Sequence, residues 1–376
     1  MRSPTGSSSI LTTDVKVSLA TILREWGRIG CVGFGGPPTH ISLLRDLCVR
    51  RKHWLSEHDF EDALAACNLL PGPASTQLAI YCAWRVRGRI GALVGGAAFI
   101  VPGLTLIIAL AALFLESSPP RWVLGAGAGA GAVVAAVAVR SGVSLVPASW
   151  TRSPSHLRWV VYLAAGAVAA ALAGPWVVLV LLACGAIELV VATRPDAVMS
   201  IGSLIWVAVK VGALSYGGGF VIIPLMQGDA VSHYHWMTGA QFLNAVALGQ
   251  ITPGPVVQTV AVVGYAAHGL SGALLAALIA FTPSFVFVLV GGPHFDRFRG
   301  NLRARSFLNG AGPAAIGAIL GVSIPLARAL HEGWQFGVLA AAAVALLALR
   351  RGIVTTLLLA GVVGVVAAVS GASLPH

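Results

Sequence analysis

The sequence predicts an all-α membrane protein that crosses the bilayer several times and is built from two homologous, inverted repeats. Three observations predict this fold: a strongly apolar composition, a chain that matches itself at a fixed spacing, and paired Gly and Pro motifs that interrupt apolar segments. We expect about 10–12 membrane segments, some of them broken or re-entrant, from the roughly 20 apolar residues that one span requires.

The composition excludes a soluble domain. Hydrophobic residues make up 57% of the 376 residues and charged residues only 10%, and the mean hydropathy is +0.86. Stretches 159–187 and 269–293 carry no charged residue, and both exceed the length of one helical span. The lipid bilayer is therefore the expected solvent for most of the chain.

The N-terminal residues and the charge pattern narrow the class further. Residues 1–15 are rich in Ser and Thr and contain no apolar core of a signal peptide, so we expect a short disordered tail. The net charge of +11 comes from Lys and Arg scattered among the connections between apolar segments. This distribution favours anchoring of cytoplasmic loops over binding of nucleic acid, with attraction of anions as a secondary role.

The sequence contains no clear motif for a metal or a cofactor. Five cysteines occur without a CxxC pair, which supports neither a disulfide framework nor a zinc site. His233 and His235 form an HxH pair without nearby carboxylate or thiolate partners, a weak pattern for a metal. We expect no metal site, no soluble cofactor and, because hydrolase motifs are absent, no enzymatic activity.

An internal repeat divides the chain near residue 197. A shift of 182 residues superposes glycines, tryptophans and a Pro-Gly-Pro (PGP) motif, and a shift of 181 matches the residues that follow. The domains expected from this are a first repeat, 16–196, and a second repeat, 197–376. The matched positions include Gly30 with Gly212, Trp54 with Trp236, 71–73 with 253–255, Gly88 with Gly269, and Pro102 with Pro283.

Lys and Arg indicate how the repeats are oriented. Connections 45–52 and 85–89 of the first repeat are basic, whereas the equivalent connections 227–241 and 266–271 contain neither Lys nor Arg. By the positive-inside rule the first pair lies in the cytoplasm and the second pair outside, so the repeats are expected to be inverted. Two basic connections on one side also predict that residues 60–84 form a re-entrant hairpin.

Later in each half, the sequence predicts two short helices. Gly174-Pro175 divides the long apolar stretch of the first half, and Arg350-Arg351 divides that of the second half. The alternating run 125–131 of Gly and Ala resembles a phosphate loop only superficially, because no Lys-Ser/Thr follows it. It is expected to pack helices closely in the membrane.

Glycine clusters interrupt the first segment of each repeat. The interruptions contain Gly35 and Gly36 in the first repeat and Gly217 and Gly218 in the second. Irregular backbone at membrane depth survives only where protein or a water-filled cavity surrounds it. A functional break is favoured by the two copies in register, and a kink that only assists packing is the alternative.

The two PGP motifs form a second pair of breaks, at which we expect a substrate site. Each begins a new helix, whose first turn presents free N–H groups and the positive end of the helix dipole, a combination that suits an oxyanion. Hydroxyl and amide side chains beside the turns supply further donors, although such residues also cement helix contacts in lipid. The expected binding residues outside the glycine clusters are Asn68, Pro71, Gly72, Pro73, Ser75, Thr76, Gln77, Gln250, Pro253, Gly254, Pro255, Gln258 and Thr259.

Ionisable residues at membrane depth are functional candidates. Arg28 and Lys210 occupy equivalent places, each seven residues before its glycine cluster, and form either a cationic pair beside the anion path or two side chains that reach the interface. His40 is the first candidate for proton coupling, because its unperturbed pKa lies near working pH. Packing or capping is the alternative for His40, and Glu25 and Glu188 are further candidates.

These motifs resemble those of the chromate ion transporter family in its long, two-repeat form. The resemblance covers most of residues 20–325. It is carried in the first half by GFGGPPTH (33–40), WLS (54–56) and LLPGPASTQLA (69–79), and in the second half by SYGGGFVIIPLM (215–226), WMT (236–238), ALGQITPGP (247–255) and VGYAAHGLSGA (263–273). Asn68 stands where a glutamine is expected in the first PGP block.

The resemblance implies export of chromate across the bacterial inner membrane, driven by the proton gradient. The two sets of broken helices lead us to expect a secondary transporter that works by alternating access. Sulfate and molybdate are alternative oxyanion substrates, because their size and charge nearly coincide with those of chromate. A passive anion channel is a further alternative from another class. The expected partners are an oxyanion, protons and lipid, and a homodimer is left open.

Overall fold

The structure of the chain is a computed structural model, which describes residues 17–34, 36–69, 72–116, 118–172, 176–192, 222–291 and 302–375. Within these ranges the chain forms helices joined by turns, and no β-strand occurs among the described residues. The all-α prediction is confirmed. The predicted tail and the predicted repeat boundary lie outside these ranges.

The helices of the first repeat are α1 (Leu19–Val32), α2 (Pro37–Arg45), α3 (Glu57–Leu69), α4 (Ala74–Phe114), α5 (Arg121–Arg152), α6 (His156–Leu172) and α7 (Val177–Ala192). Those described in the second repeat are α8 (Ile222–Gln227), α9 (Gly239–Ile251), α10 (Thr259–Gly291), α11 (Leu302–Gly321), α12 (Ser323–Arg328), α13 (Gly333–Ala343) and α14 (Ile353–Val369). Turns of π-helix extend α2, α8 and α13. The short paired helices predicted late in each half are α6 with α7 and α13 with α14.

Within the described ranges, four stretches of helix are long and apolar enough to cross a membrane: 74–114, 121–152, 256–291 and 306–328. Many of their outward side chains are apolar and exposed, such as Ile90 and Leu278. Extended apolar surface of this kind is unusual on a soluble monomer. It fits a protein whose outer surface contacts lipid.

The break in the first segment has a local cause. Ser18 caps α1, because its side chain accepts a hydrogen bond from the amide of Thr21. The helix ends at Val32, and α2 begins with Pro37 and Pro38, which need no intrahelical N–H partner in a first turn. The predicted interruption between these helices is confirmed.

The predicted hairpin is formed by α3 and the start of α4, with Gly72 and Pro73 of the first PGP motif between them. The guanidinium of Arg85, in α4, lies 4.0 Å from the carboxylate of Asp59, near the start of α3. The start of α3 and the basic connection after the hairpin therefore lie at the same end of the molecule. We call this end the basic end.

Both long helices that follow the PGP motifs turn back on themselves. In α4 the turn is at Gly88, with φ of 63°, and in α10 at Gly269, with φ of 59°. The two arms of each helix pack closely: a Cβ at Gly91 would lie 2.5 Å from the carbonyl oxygen of Ala83, and one at Gly264 would lie 2.4 Å from that of Gly272. Each arm before the turn therefore runs antiparallel to the arm after it.

The last helices of each repeat pack against the other repeat. α5 packs on α14 of the second repeat, and α11 packs on α6 and α7 of the first. The contacts correspond: a Cβ at Gly129 would lie 2.1 Å from the carbonyl oxygen of Ala360, and one at its repeat counterpart Gly310 would lie 2.1 Å from that of Cys184. The glycine-rich run of α5 thus packs helices closely, as predicted.

Candidate functional site

The second PGP turn is held by the amide side chain of Gln258. Its Nε2 donates to Thr252 Oγ1 at 2.8 Å and to the carbonyl oxygen of Pro253 at 2.9 Å. Gly254 between them has φ of 102°, a conformation that favours glycine. The turn is buried, and Thr259 Oγ1 donates to the carbonyl oxygen of Val256 at 2.8 Å. The polar side chains here tie the turn to itself.

The first PGP turn has the same backbone form. Gly72 has φ of 116°, and α4 starts directly after Pro73, whose carbonyl oxygen accepts hydrogen bonds from the amides of Thr76 and Gln77. The side chains of Ser75, Thr76 and Gln77 are buried. The first helical turn leaves N–H groups without an intrahelical acceptor. Donors therefore collect at the tip of the hairpin.

His40 joins the first break to both PGP turns. Its ring is fully buried, with Nε2 2.8 Å from the carbonyl oxygen of Gly33 and Nδ1 3.3 Å from Ser75 Oγ. A carbonyl oxygen only accepts, so Nε2 carries the proton and Nδ1 accepts from the Ser75 hydroxyl. The same Gly33 oxygen accepts from the amide of Gly254 at 3.2 Å. One buried imidazole thus lies between elements of both repeats.

Each PGP turn packs against a helix of the other repeat. A Cβ at Gly103, in α4, would lie 1.8 Å from the carbonyl oxygen of Pro253. The repeat counterpart of Gly103 is Ser284, in α10, whose Oγ would lie 3.3 Å from a Cβ at Gly72. These two corresponding contacts place both turns at the interface between the repeats.

A cavity of about 730 Å³ reaches this interface. Its lining combines the first break, with Gly36, the first PGP turn, with Gly72, and the second PGP region, with Gln250 and Val256. Side chains of α5, α11 and the start of α14 complete the wall. This volume is many times what one water molecule needs, so an oxyanion with part of its hydration shell fits.

Several buried polar atoms near the PGP turns have no hydrogen-bond partner within the described part of the chain. They are Thr76 Oγ1, Gln250 Nε2, Gln258 Oε1 and Ser284 Oγ. A buried polar group without a partner costs about 1–3 kcal/mol. Their concentration around the two PGP turns fits a site whose partners arrive with a ligand and its water.

The remaining predicted residues are placed as follows. Pro255 is buried in the second turn, Asn68 belongs to α3 without a described side chain, and Arg28 is exposed on α1. Glu25 is half-buried on α1. The other predicted residues, Gly35, Pro71, Lys210, Gly217 and Gly218, lie outside the described residues, so a pairing of Arg28 with Lys210 stays a prediction.

The other ionisable candidates lie away from the cavity lining. Glu188 is buried on α7, where its carboxylate accepts from Arg158 at 2.9 and 3.1 Å and from the Tyr162 hydroxyl at 3.1 Å. His233 and His235 are exposed. Among the described residues, no group of three or more His, Cys, Asp or Glu side chains is placed to hold a metal ion.

Sequence reasoning missed the contribution of α5. Seven residues on one face of this helix line the cavity: Arg140, Ser141, Ser144, Leu145, Ala148, Ser149 and Arg152. Arg140 Nη1 donates to the carbonyl oxygens of Leu346 and Arg351 at 2.6 and 2.8 Å. The spacing of three and four residues in this face was the available signal, but it followed an apolar run and was not recognised.

The broken helices, the re-entrant hairpin and the cavity between two repeats define a membrane transport protein. The sequence model described as chromate transporter matches residues 20–189 and 202–365. The chain therefore belongs to the chromate transporter family, whose members are transport proteins and not enzymes.

Curated relatives are similar over nearly the whole chain. A chromate transport protein of Cupriavidus metallidurans is 31% identical, with 96% of each chain covered. A probable chromate transport protein of Synechococcus elongatus is 29% identical over 87% of this chain and 89% of its own. One from Pseudomonas aeruginosa is 28% identical over 84% and 83%. No solved structure matches the chain.

Proposed function

We propose that this chain exports chromate across the bacterial inner membrane by alternating access, coupled to protons, with the substrate bound between the two PGP turns. The single observation that carries the proposal is the cavity of about 730 Å³ that reaches the first PGP turn and the residues on either side of the second, where the repeats meet. Names of the relatives support chromate as the substrate. Chromate resistance of the cell would follow from export.

The binding chemistry supports a tetrahedral dianion. Donors available at the turns are the first amides of α4, the hydroxyls of Thr76 and Ser284 and the amide of Gln250. Neutral donors hold an anion without the excess of fixed charge that would prevent release. Sulfate and molybdate offer the same acceptors, so selectivity among these oxyanions depends on the fit of the turns.

The proton step is assigned to His40. While Nδ1 is unprotonated, it accepts the Ser75 hydrogen. A proton on Nδ1 reverses this bond, because the imidazolium donates from both nitrogens and the Ser75 oxygen then accepts. The hydrogen bonds offered to the anion therefore change with the protonation of His40. This links the proton gradient to the cycle of binding and release.

Proteoliposomes containing purified protein test the proposal. We expect saturable chromate uptake that an imposed pH gradient stimulates, and competition by excess sulfate or molybdate ranks the substrates. Flux that does not saturate and ignores the pH gradient would establish the passive channel instead. Pro71→Ala and Gln77→Ala are expected to abolish or sharply reduce uptake while the protein still reaches the membrane. Normal uptake in both variants would remove the PGP site.

His40→Gln tests the proton step. The amide keeps polar atoms in the buried site but cannot titrate. We expect it to retain uptake down a chromate gradient and to lose the stimulation by a pH gradient. Full stimulation in this variant would exclude His40 as the proton carrier.

A further inference from the structure

One face of α5 carries arginines at both ends of the cavity wall. Arg140 and Arg152 are separated by twelve residues of helix, or about 18 Å along its axis at 1.5 Å per residue. Between them, Ser141, Ser144 and Ser149 line the same wall. None of the described residues that line the cavity is acidic, so its fixed charge is positive.

This wall points from the PGP turns toward the basic end. The start of α5 packs near the end of α4, because a Cβ at Gly127 would lie 2.7 Å from the ring of Phe114. α4 runs away from the basic end after its turn at Gly88, and α5 therefore runs back toward it. Arg152, which is exposed, lies nearer the basic end than Arg140, which is half-buried.

The second repeat lacks this feature. With the 181-residue shift that aligns Gly129 with Gly310, the counterpart of Arg140 is Gly321 and that of Arg152 is Gly333. The serines correspond to apolar residues, among them Val322 and Leu330, which are buried. The polar face is thus a property of one repeat and does not follow from the shared scaffold.

From this asymmetry we propose that Arg140 and Arg152 form a capture site for tetrahedral oxyanions at the basic end, through which the substrate reaches the PGP turns. The inference rests on the proposed function. Two guanidinium groups attract a dianion over several ångströms, and walls of low dielectric concentrate this attraction. The counterpart positions in the second repeat carry no arginine. The opposite side therefore has no equivalent charges that would hold the released anion.

The arginines contribute differently. Arg140 is held by two backbone carbonyl groups at the turn before α14, so its charge is fixed at the inner part of the wall. Arg152 is exposed at the outer part. An anion therefore meets the exposed charge of Arg152 first and the fixed charge of Arg140 next, before it reaches Gln250.

The test measures initial rates of chromate uptake into inside-out membrane vesicles as a function of chromate concentration, at low and high ionic strength. Removal of one positive charge about 8 Å from a dianion is expected to change its binding about fivefold in water-like dielectric. We expect Arg152→Gln and Arg140→Gln each to raise KM about fivefold at low salt and to weaken its salt dependence, with Vmax within about twofold of wild type.

Matched variants separate charge from structure. Arg121→Gln removes one charge at the other end of α5, where the side chain bonds to the carbonyl oxygen of Ala372, and is expected to leave KM unchanged. Arg140→Lys keeps the charge and is expected to stay close to wild type in KM. If Arg140→Lys behaves as Arg140→Gln, the role of Arg140 is structural and the capture site is refuted at that residue.

Other outcomes also decide the matter. Unchanged KM and salt dependence in Arg152→Gln and Arg140→Gln would overturn the capture site while leaving chromate transport in place. An effect of these variants that occurs in vesicles with anionic lipid and vanishes in phosphatidylcholine would show that the arginines bind lipid phosphate instead. If wild-type vesicles take up no chromate, the proposed function fails. The anion site is then tested by thermal unfolding with sulfate or molybdate. The capture site predicts that these anions stabilise wild type but not Arg152→Gln.

Discussion

The two PGP turns share a backbone form and differ in what their side chains do. In the second turn, Gln258 donates two hydrogen bonds to the turn itself, so the turn is closed by its own repeat. In the first turn, Ser75 contacts His40 on a different helix. Of these two copies of one scaffold, the first is thus connected to a titratable group. Under the proposed function, the first turn responds to protons and the second holds the interface between the repeats.

The most disruptive change is expected at Gly103. In Gly103→Ala the new Cβ would lie 1.8 Å from the carbonyl oxygen of Pro253. Because this neighbour is a backbone atom, it cannot move away easily. Overpacking of this kind costs about 3 kcal/mol. We expect a lower midpoint of thermal unfolding in detergent and loss of chromate uptake. Gly337→Ala is the control, because nothing lies within 4 Å of that Cβ; equal stability of the two variants would contradict the close packing.

Gln258→Ala is expected to have the next largest effect. It leaves Thr252 Oγ1 and the carbonyl oxygen of Pro253 without the donor that now serves both, at a cost of about 1–3 kcal/mol in stability. Thermal unfolding should show the loss, and uptake should fall at least tenfold. Gln258→Glu, which cannot donate from that atom, is expected to behave similarly. A stable, active Gln258→Ala would mean that the second turn needs no internal support.

Ser284→Ala sharpens the comparison, because Ser284 is the counterpart of Gly103 and its Oγ has no partner among the described residues. Its removal is expected to leave stability unchanged or slightly increased. If the hydroxyl binds the oxyanion, KM for chromate rises about tenfold, which corresponds to one hydrogen bond of roughly 1.4 kcal/mol. An unchanged KM would assign Ser284 to packing alone.

The smallest effect on transport is expected for Glu188→Gln. This carboxylate already bonds to Arg158 and Tyr162 and lies away from the cavity lining. Uptake and its response to a pH gradient should therefore match wild type in proteoliposomes. Loss of the pH response would transfer the proton role from His40 to Glu188.

Much of this architecture was predictable because Gly and Pro act locally. The PGP motifs and the clustered glycines restrict or free the backbone at their own positions, so the breaks and the re-entrant hairpin followed from the sequence. The basic connections at Arg45 and Arg85 further predicted that both ends of the hairpin lie on the same side of the membrane. The face of α5 was not predicted, because a helix with two arginines and three serines in a mostly apolar chain also fits an ordinary end of a span.

The sequence by itself determined the repeat, the positions of the helix breaks and the solvent of the outer surface, because these depend on residue types at fixed spacings. Only the tertiary structure decided that Gly103 and Ser284 pack on the opposite PGP turns, that His40 lies between Gly33 and Ser75, and that α5 forms the charged wall. These contacts join residues far apart in the chain. Their partners are selected by the packing of one repeat against the other, which no local pattern encodes.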